Sequence, residues 1–280
     1  MPYRARLNVW HGWGSMQPYS NEGDSRVNRA EFRFYAELND FLSPERRYVT
    51  FVHAFRGRPA VKDQIEALGV PHTEVDLILV NGESVGFDHP LEDGDRVSVY
   101  PVFEAFDITP VLRVRPEPLR EVRFVLDAHL GRLAAYLRML GFDALYRSDY
   151  EDGELAHLSH DERRILLTRD RGLLKRSIVT HGYCVRETQP CSQLVEVVQH
   201  FDLFRLIAPF TRCVRCNGLL ERVPKEQVRD RLLPETCRHY DDFCTCRACG
   251  RVYWHGPHAE RMERLIEHVL AHEPGEDALP

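Results

Sequence analysis

A chain of 280 residues is too long for one small core, and its 43% hydrophobic and 29% charged content is that of an ordinary globular protein, which excludes a disordered or fibrous chain. No apolar run approaches the ~20 residues needed to span a bilayer, so no membrane partner is expected, and a net charge of −6 excludes attraction of nucleic acid by the chain as a whole. The opening, MPYRARLNVWHGWGSMQPYS, lacks the continuous apolar stretch of a secretory signal, so residues 1–26 read as a disordered extension and the chain as cytoplasmic.

Residues 27–106 read as one small domain. Val27 to Tyr35 and Arg47 to Phe55 are strand signals, and Val61, Ile65 and Leu68 recur at helical spacing before Gly69. Val75 to Val80 is an apolar strand, Asn81-Gly82 a tight-turn pair, and Asp95 to Phe103 a closing strand. Strand, strand, helix, strand, strand is the order of a β-grasp. The stretch EALGVPHTEVDLILVNGESV…LEDGDRVSVYPVF resembles the ubiquitin-like sulfur carriers of thiamin and molybdopterin synthesis. Those carriers act through a free terminal Gly-Gly, whereas Tyr100-Pro101-Val102-Phe103 runs on into more chain, so the expected role is docking of a protein partner. Residues 107–119 carry Pro110, Pro116 and Pro118 and read as a linker.

Residues 120–208 alternate strand and helix. Arg123–Leu126, Ala144–Tyr146, Ile165–Thr168 and Tyr183–Val185 are strand candidates. Residues 129–140, a helix start at Asp152, and Cys191–Phe201 are helical. The alternation predicts a parallel sheet with helices on both faces, and ligands of such sheets sit beyond the carboxyl ends of the strands. Asp127 and Asp170 follow two of those ends, while Asp152 and Glu154 open the intervening helix. Carboxylates that converge repel one another unless a cation sits among them, and Mg²⁺ or Mn²⁺ suits an all-oxygen site. The competing reading of each acid is local: a helix cap for Asp127 and Asp152, dipole complementation for Glu154, turn chemistry for Asp170. The segment 163–176 holds Arg163, Arg164, Arg169, Arg171, Lys175 and Arg176 against Asp170, a basic cluster able to bind phosphate or simply a solvated edge.

Residues 209–272 contain two CxxC pairs, Cys213/Cys216 and Cys246/Cys249, followed by an amphipathic helix at 259–272. Two such pairs at this distance present four thiolates to a structural zinc, a closed site that does no chemistry. Cys237 and Cys244 are rival ligands by position. Tyr253 and Trp254 either stack on bases or pack the ribbon.

Phe124-Val125-Leu126-Asp127, Leu130-Gly131-Arg132-Leu133-Ala134, Leu137-Arg138-Met139-Leu140-Gly141-Phe142-Asp143, Asp152-Gly153-Glu154-Leu155 and Leu166-Leu167-Thr168-Arg169-Asp170 together resemble the Mut-seven C-terminal RNase family, one of the PIN-like nucleases. Cys213-x-x-Cys216-Asn217-Gly218 and Cys246-x-x-Cys249-Gly250-Arg251-Val252-Tyr253-Trp254 are similar to that family's zinc ribbon. The resemblance implies metal-dependent cleavage of RNA at Asp127, Asp152 or Glu154, and Asp170, with Asp127 and Asp170 on Mg²⁺ or Mn²⁺. Arg132, Arg169, Arg171 and Lys175 are the expected substrate contacts, and the ribbon is expected to aid RNA binding. PIN-like sites often carry a further acid near the fourth strand; here none precedes Glu187, which leaves one ion or two open. Two other classes are compatible with the same residues: a non-catalytic RNA- or ribosome-binding adaptor, and a nuclease acting on DNA.

Overall fold

The computed structural model describes residues 27–101 and 122–273. The expectations for residues 1–26 and for the linker at 107–119 lie outside them. In the first unit, β1 (Val27–Phe34) and β2 (Phe51–Arg56) form an antiparallel pair. Then come α1 (Val61–Ala67), β3 (Leu77–Val80), β4 (Glu83–Val85) and β5 (Arg96–Tyr100), giving the sheet order β2-β1-β5-β3-β4 with β1 and β5 parallel. This is a β-grasp. The Asn81-Gly82 pair closes the β3–β4 hairpin with both residues at positive φ, as a two-residue turn of this type requires. β2 starts later than the sequence suggests. Tyr48 is left-handed, at φ 59, and its amide is taken by the Asn39 side chain, so residues 47–50 cannot join the ladder. β4 is too short and too polar to read as a strand in isolation.

In the second unit, β6 (Arg123–Leu126), α2 (Gly131–Met139), β7 (Asp143–Tyr146), α3 (Asp152–Asp161), β8 (Ile165–Thr168), α4 (Arg171–Leu174), β9 (Gly182–Cys184) and α5 (Pro190–His200) alternate. The four strands are all parallel, in the order β7-β6-β8-β9. Strand alternation divides the sheet's side chains between two cores. Phe124, Leu126 and Leu167 pack with α2 and α5. Val125 and Leu166 face the other way, onto Leu155 and Ala156 of α3, and that second core runs without a break into the β-grasp through Phe41, Leu42 and Val75.

Polar contacts reinforce this join. Buried Glu74 accepts from the Cys184 amide at 2.5 Å and from Arg186 Nη2 at 3.3 Å. His72 Nε2 donates to the Val179 carbonyl at 2.8 Å.

The third unit is an antiparallel sheet of β10 (Leu220–Val223), β11 (Phe243–Cys246) and β12 (Val252–Trp254), with α6 (Lys225–Val228) and α7 (Pro234–His239) in the insert. Its final helix, α8 (Pro257–Leu270), buries Ile266 and Val269 in the core shared with α5. Among the described residues no helix is long and apolar enough to cross a membrane.

Candidate active site and metal centre

The strand order reverses at β6 and β8, which is where an open parallel sheet forms its ligand crevice. Asp127 follows β6. It precedes a 3-10 turn at Ala128–Leu130, yet its side chain caps nothing there. Its Oδ2 instead accepts a 2.7 Å hydrogen bond from the hydroxyl of Thr168, the last residue of β8, which is wholly buried. The same Thr168 oxygen accepts from the Asp170 amide at 2.9 Å. One hydroxyl therefore ties the two acid-bearing strand ends together. The Asp170 carboxylate accepts from Gly172 N at 2.7 Å and so also caps α4.

Tyr146, at the end of β7, donates its hydroxyl to the Ala128 carbonyl at 2.9 Å and fixes the turn after Asp127. It needs Gly131 to do so: a Cβ at position 131 would lie 2.6 Å from the Tyr146 oxygen. Neither Thr168 nor Tyr146 is marked in the sequence, because each acts through a neighbouring strand rather than through local spacing.

Asp152 and Glu154 lie exposed in the first turn of α3, which follows the carboxyl end of β7 in the chain. Asp152 pairs with Arg176 at 3.5 Å and Glu154 with Arg147 at 3.4 Å. Among the described residues, the only group of three or more His, Cys, Asp or Glu whose ligand atoms lie within 4.8 Å of one another is made of cysteines, so no three of the four acids converge that closely. The donors Asp127 and Asp170 are oxygen-only. That suits Mg²⁺ or Mn²⁺, which is commonly held by one or two carboxylates and completed by substrate phosphate.

The basic cluster divides. Arg164 is buried, bonding Asp143 and Glu162 at 2.7 Å each. Arg171 reaches the Phe41 and Asp40 carbonyls at 3.5 and 3.4 Å and lies over the Phe41 ring, while Lys175 Nζ donates to the Glu66 carbonyl at 2.6 Å. Two of the four residues expected to touch substrate, Arg171 and Lys175, are thus engaged with the β-grasp. Arg132 and Arg169 are exposed, and among the described residues neither makes a hydrogen bond or ion pair.

Cys213, Cys216, Cys246 and Cys249 bring their sulfurs within 4.8 Å of one another; Cys213 Sγ lies 3.8 Å from Cys249 Sγ, and Cys216 Sγ 3.4 Å from Cys246 Sγ. A tetrahedron with Zn–S near 2.3 Å places sulfurs about 3.8 Å apart, so the set fits zinc. Cys237 and Cys244 stand outside it. Burial raises the Cys213 thiol, but the Tyr253 hydroxyl at 3.0 Å and the backbone N–H groups of Cys216 and Arg215 outweigh it and bring it down to about 6. Burial and the neighbouring sulfurs push Cys216 up to about 12. Four sulfurs that repel once ionised behave this way, and a divalent cation among them removes the conflict.

The first knuckle is clasped from behind. Arg138 on α2 donates to the carbonyls of Val214, Arg215 and Ala144 at 3.2, 3.0 and 2.8 Å. Asn217, left-handed at φ 70, accepts from the Ala144 amide at 3.2 Å and donates to Asp143 at 2.7 Å. Burial raises the Asp143 carboxyl, but Arg164, Asn217 and Arg212 hold it below its ordinary value. Asp143 is thus a half-buried hub between sheet and ribbon.

The open α/β sheet with acids at its switch point is thus joined to a four-cysteine ribbon. Residues 122–266, more than half of the chain, match the Mut7-C RNAse domain, and the chain belongs to that family. Residues 27–107 match the Mut7-C ubiquitin domain. Among solved structures, the crystal structure of SAMP1 from Haloferax volcanii is similar at 19% identity, covering 28% of this chain and 100% of that one with a TM-score of 0.23. No curated protein matches the chain.

Proposed function

We propose that this protein is a metal-dependent ribonuclease of the PIN-like type, hydrolysing RNA phosphodiester bonds in the crevice at the carboxyl ends of β6 and β8. The observation that carries this reading is the non-capping carboxylate of Asp127, joined to Asp170 through the buried Thr168 hydroxyl. Mg²⁺ or Mn²⁺, held by Asp127 and Asp170, supplies charge stabilisation of the phosphate and a more acidic water when bound. Thr168 fixes the orientation of the Asp127 carboxylate. Asp152 and Glu154, freed from their exposed arginine partners, complete the acidic wall. Arg132 and Arg169 contact the phosphates flanking the cut, a task that suits the planar guanidinium. The zinc-bearing ribbon is structural and extends the RNA-binding surface. Its thiolate chemistry fits a reducing cytoplasm.

The test is cleavage of a labelled RNA and the matching DNA by the full chain with Mg²⁺ or Mn²⁺, alongside Asp127→Asn and Asp170→Asn. Asparagine keeps an acceptor for Thr168 and for Gly172 N, so folding is expected to hold while RNA cleavage is lost in both variants. Wild-type rates in either variant refute the assignment, and equal cutting of DNA removes its RNA specificity.

A further inference from the structure

We infer that the outer face of the β-grasp sheet is a binding track for single-stranded RNA that leads toward the catalytic crevice; the direction of the track rests on the ribonuclease reading above. Strand alternation in β1 turns Ala30, Phe32 and Phe34 inward, and Arg29, Glu31 and Arg33 outward. The ladder sets Arg56 of β2 beside Val27, and Arg96 of β5 beside Glu31. Among the described strand positions on this face there are four arginines and one acid, Glu31.

Glu31 pairs with Arg96 at 3.4 Å, on a side chain still 79% exposed. Arg29, Arg33 and Arg56 are exposed and, among the described residues, have no carboxylate partner. At the rim, Asp93 accepts from the Arg29 amide and Glu92 pairs with Arg58. A chain of net charge −6 thus concentrates unpaired cations on one sheet face. At about 3.3 Å per residue the row from Arg56 to Arg33 is roughly 20 Å long, enough for several phosphates.

The row ends on aromatic rings. Arg33 lies over Tyr35 at 5.3 Å, and Tyr35 stacks on Tyr100 at 4.2 Å. Arginine beside stacked tyrosines is a surface that suits unpaired bases as well as phosphates. Tyr35 leads directly into the Ala36–Phe41 turn, whose Asp40 and Phe41 carbonyls hold Arg171, the neighbour of Asp170. The arginine row therefore runs, through Tyr35, into the turn that holds the neighbour of Asp170.

The experiment is fluorescence anisotropy of labelled oligouridine with the full chain across a salt series. Binding is measured in an Asp127→Asn background if the wild type cleaves RNA, and in the wild type itself if it does not. Replacing Arg29, Arg33 and Arg56 by Gln is expected to weaken binding by about tenfold or more and to flatten the slope of log K against log salt by about 2, since each phosphate on a single strand contributes roughly 0.7. Glu31→Gln, which releases Arg96, is expected to tighten binding and steepen the slope, a gain that misfolding cannot imitate. Unchanged affinity and slope in the triple variant overturn the inference. So does an absence of oligouridine binding in the parent protein, which would assign the face to a protein partner instead. Loss of binding in the triple variant upholds the track even if no RNA is ever cut, because that failure would fall on the active-site reading alone.

Discussion

Thr168→Val removes a hydroxyl and leaves the side-chain volume nearly unchanged, so it isolates the tie between the two acid-bearing strand ends. The lost bonds are one at 2.7 Å to the Asp127 carboxylate and one at 2.9 Å from the Asp170 amide. A hydrogen bond to a charged group contributes about 1.5–3 kcal/mol and a neutral one about 0.5–1.5. Asp127 is half-buried and regains some water, and valine suits a strand, so the net loss is expected near 2 kcal/mol. In a chain of 280 residues that lowers the melting temperature by roughly 3–4 °C. The effect on rate is expected to be larger, about 10–100-fold, as for groups that orient a metal-binding carboxylate. Thr168→Ser keeps both bonds and loses only a methyl group, so its cleavage stays close to wild type. Urea denaturation and single-turnover cleavage, run on both variants, decide the matter. If Val and Ser behave alike in rate, the hydroxyl does not position Asp127 and the reasoning fails.

Metal analysis of the native protein is expected to find one zinc per chain, and Cys213→Ser to release it and lower the melting temperature without itself abolishing cleavage; native protein free of zinc would refute the ribbon assignment. The Asp143 carboxyl, held below its ordinary value of 3.8, gives stability that is present above about pH 4 and lost as pH falls through the depressed folded value. The melting difference between wild type and Asp143→Asn should therefore be constant near neutrality and shrink in acid; a difference that grows in acid has the wrong sign. Glu74→Ala leaves Arg186 with Asp40, Tyr183 and the Phe41 ring, so the loss should fall below the ~3–5 kcal/mol of a fully buried pair, with faster hydrogen exchange at the Cys184 amide as the local readout. Unchanged exchange there would mean that the β-grasp is not held through Glu74.

The placement of Asp127 and Asp170 beyond two strand ends and the clustering of the four cysteines were legible in the sequence because their signals are local: an acid just past an apolar strand, and pairs of thiols three residues apart. The parallel sheet was legible for the same reason, since each strand is an apolar run between helices. Arg138, Asp143, Asn217 and Glu74 were not. Their partners lie on other elements, between 74 and 112 residues away for Asn217–Asp143 and Glu74–Arg186, and no periodicity announces such a pairing. Asn217 alone left a trace, as the Asn-Gly pair directly after the first knuckle. Arg171 and Lys175 show the opposite limit. Charge density near an acid reads as a phosphate site, yet the carbonyls that use these two cations belong to a domain about a hundred residues upstream.

The β7-β6-β8-β9 sheet is open, and an open sheet offers unpaired backbone groups along its outermost strands, a template for pairing with other chains. Here each border is occupied by a different neighbour. On β7, Asn217 of the ribbon takes the Ala144 amide; on β9, Glu74 of the β-grasp takes the Cys184 amide. The flanking domains thus act as end-stops for the central one. A fragment trimmed to the α/β sheet alone would keep every strand and every acid, and would be expected to self-associate along the two borders that its neighbours close.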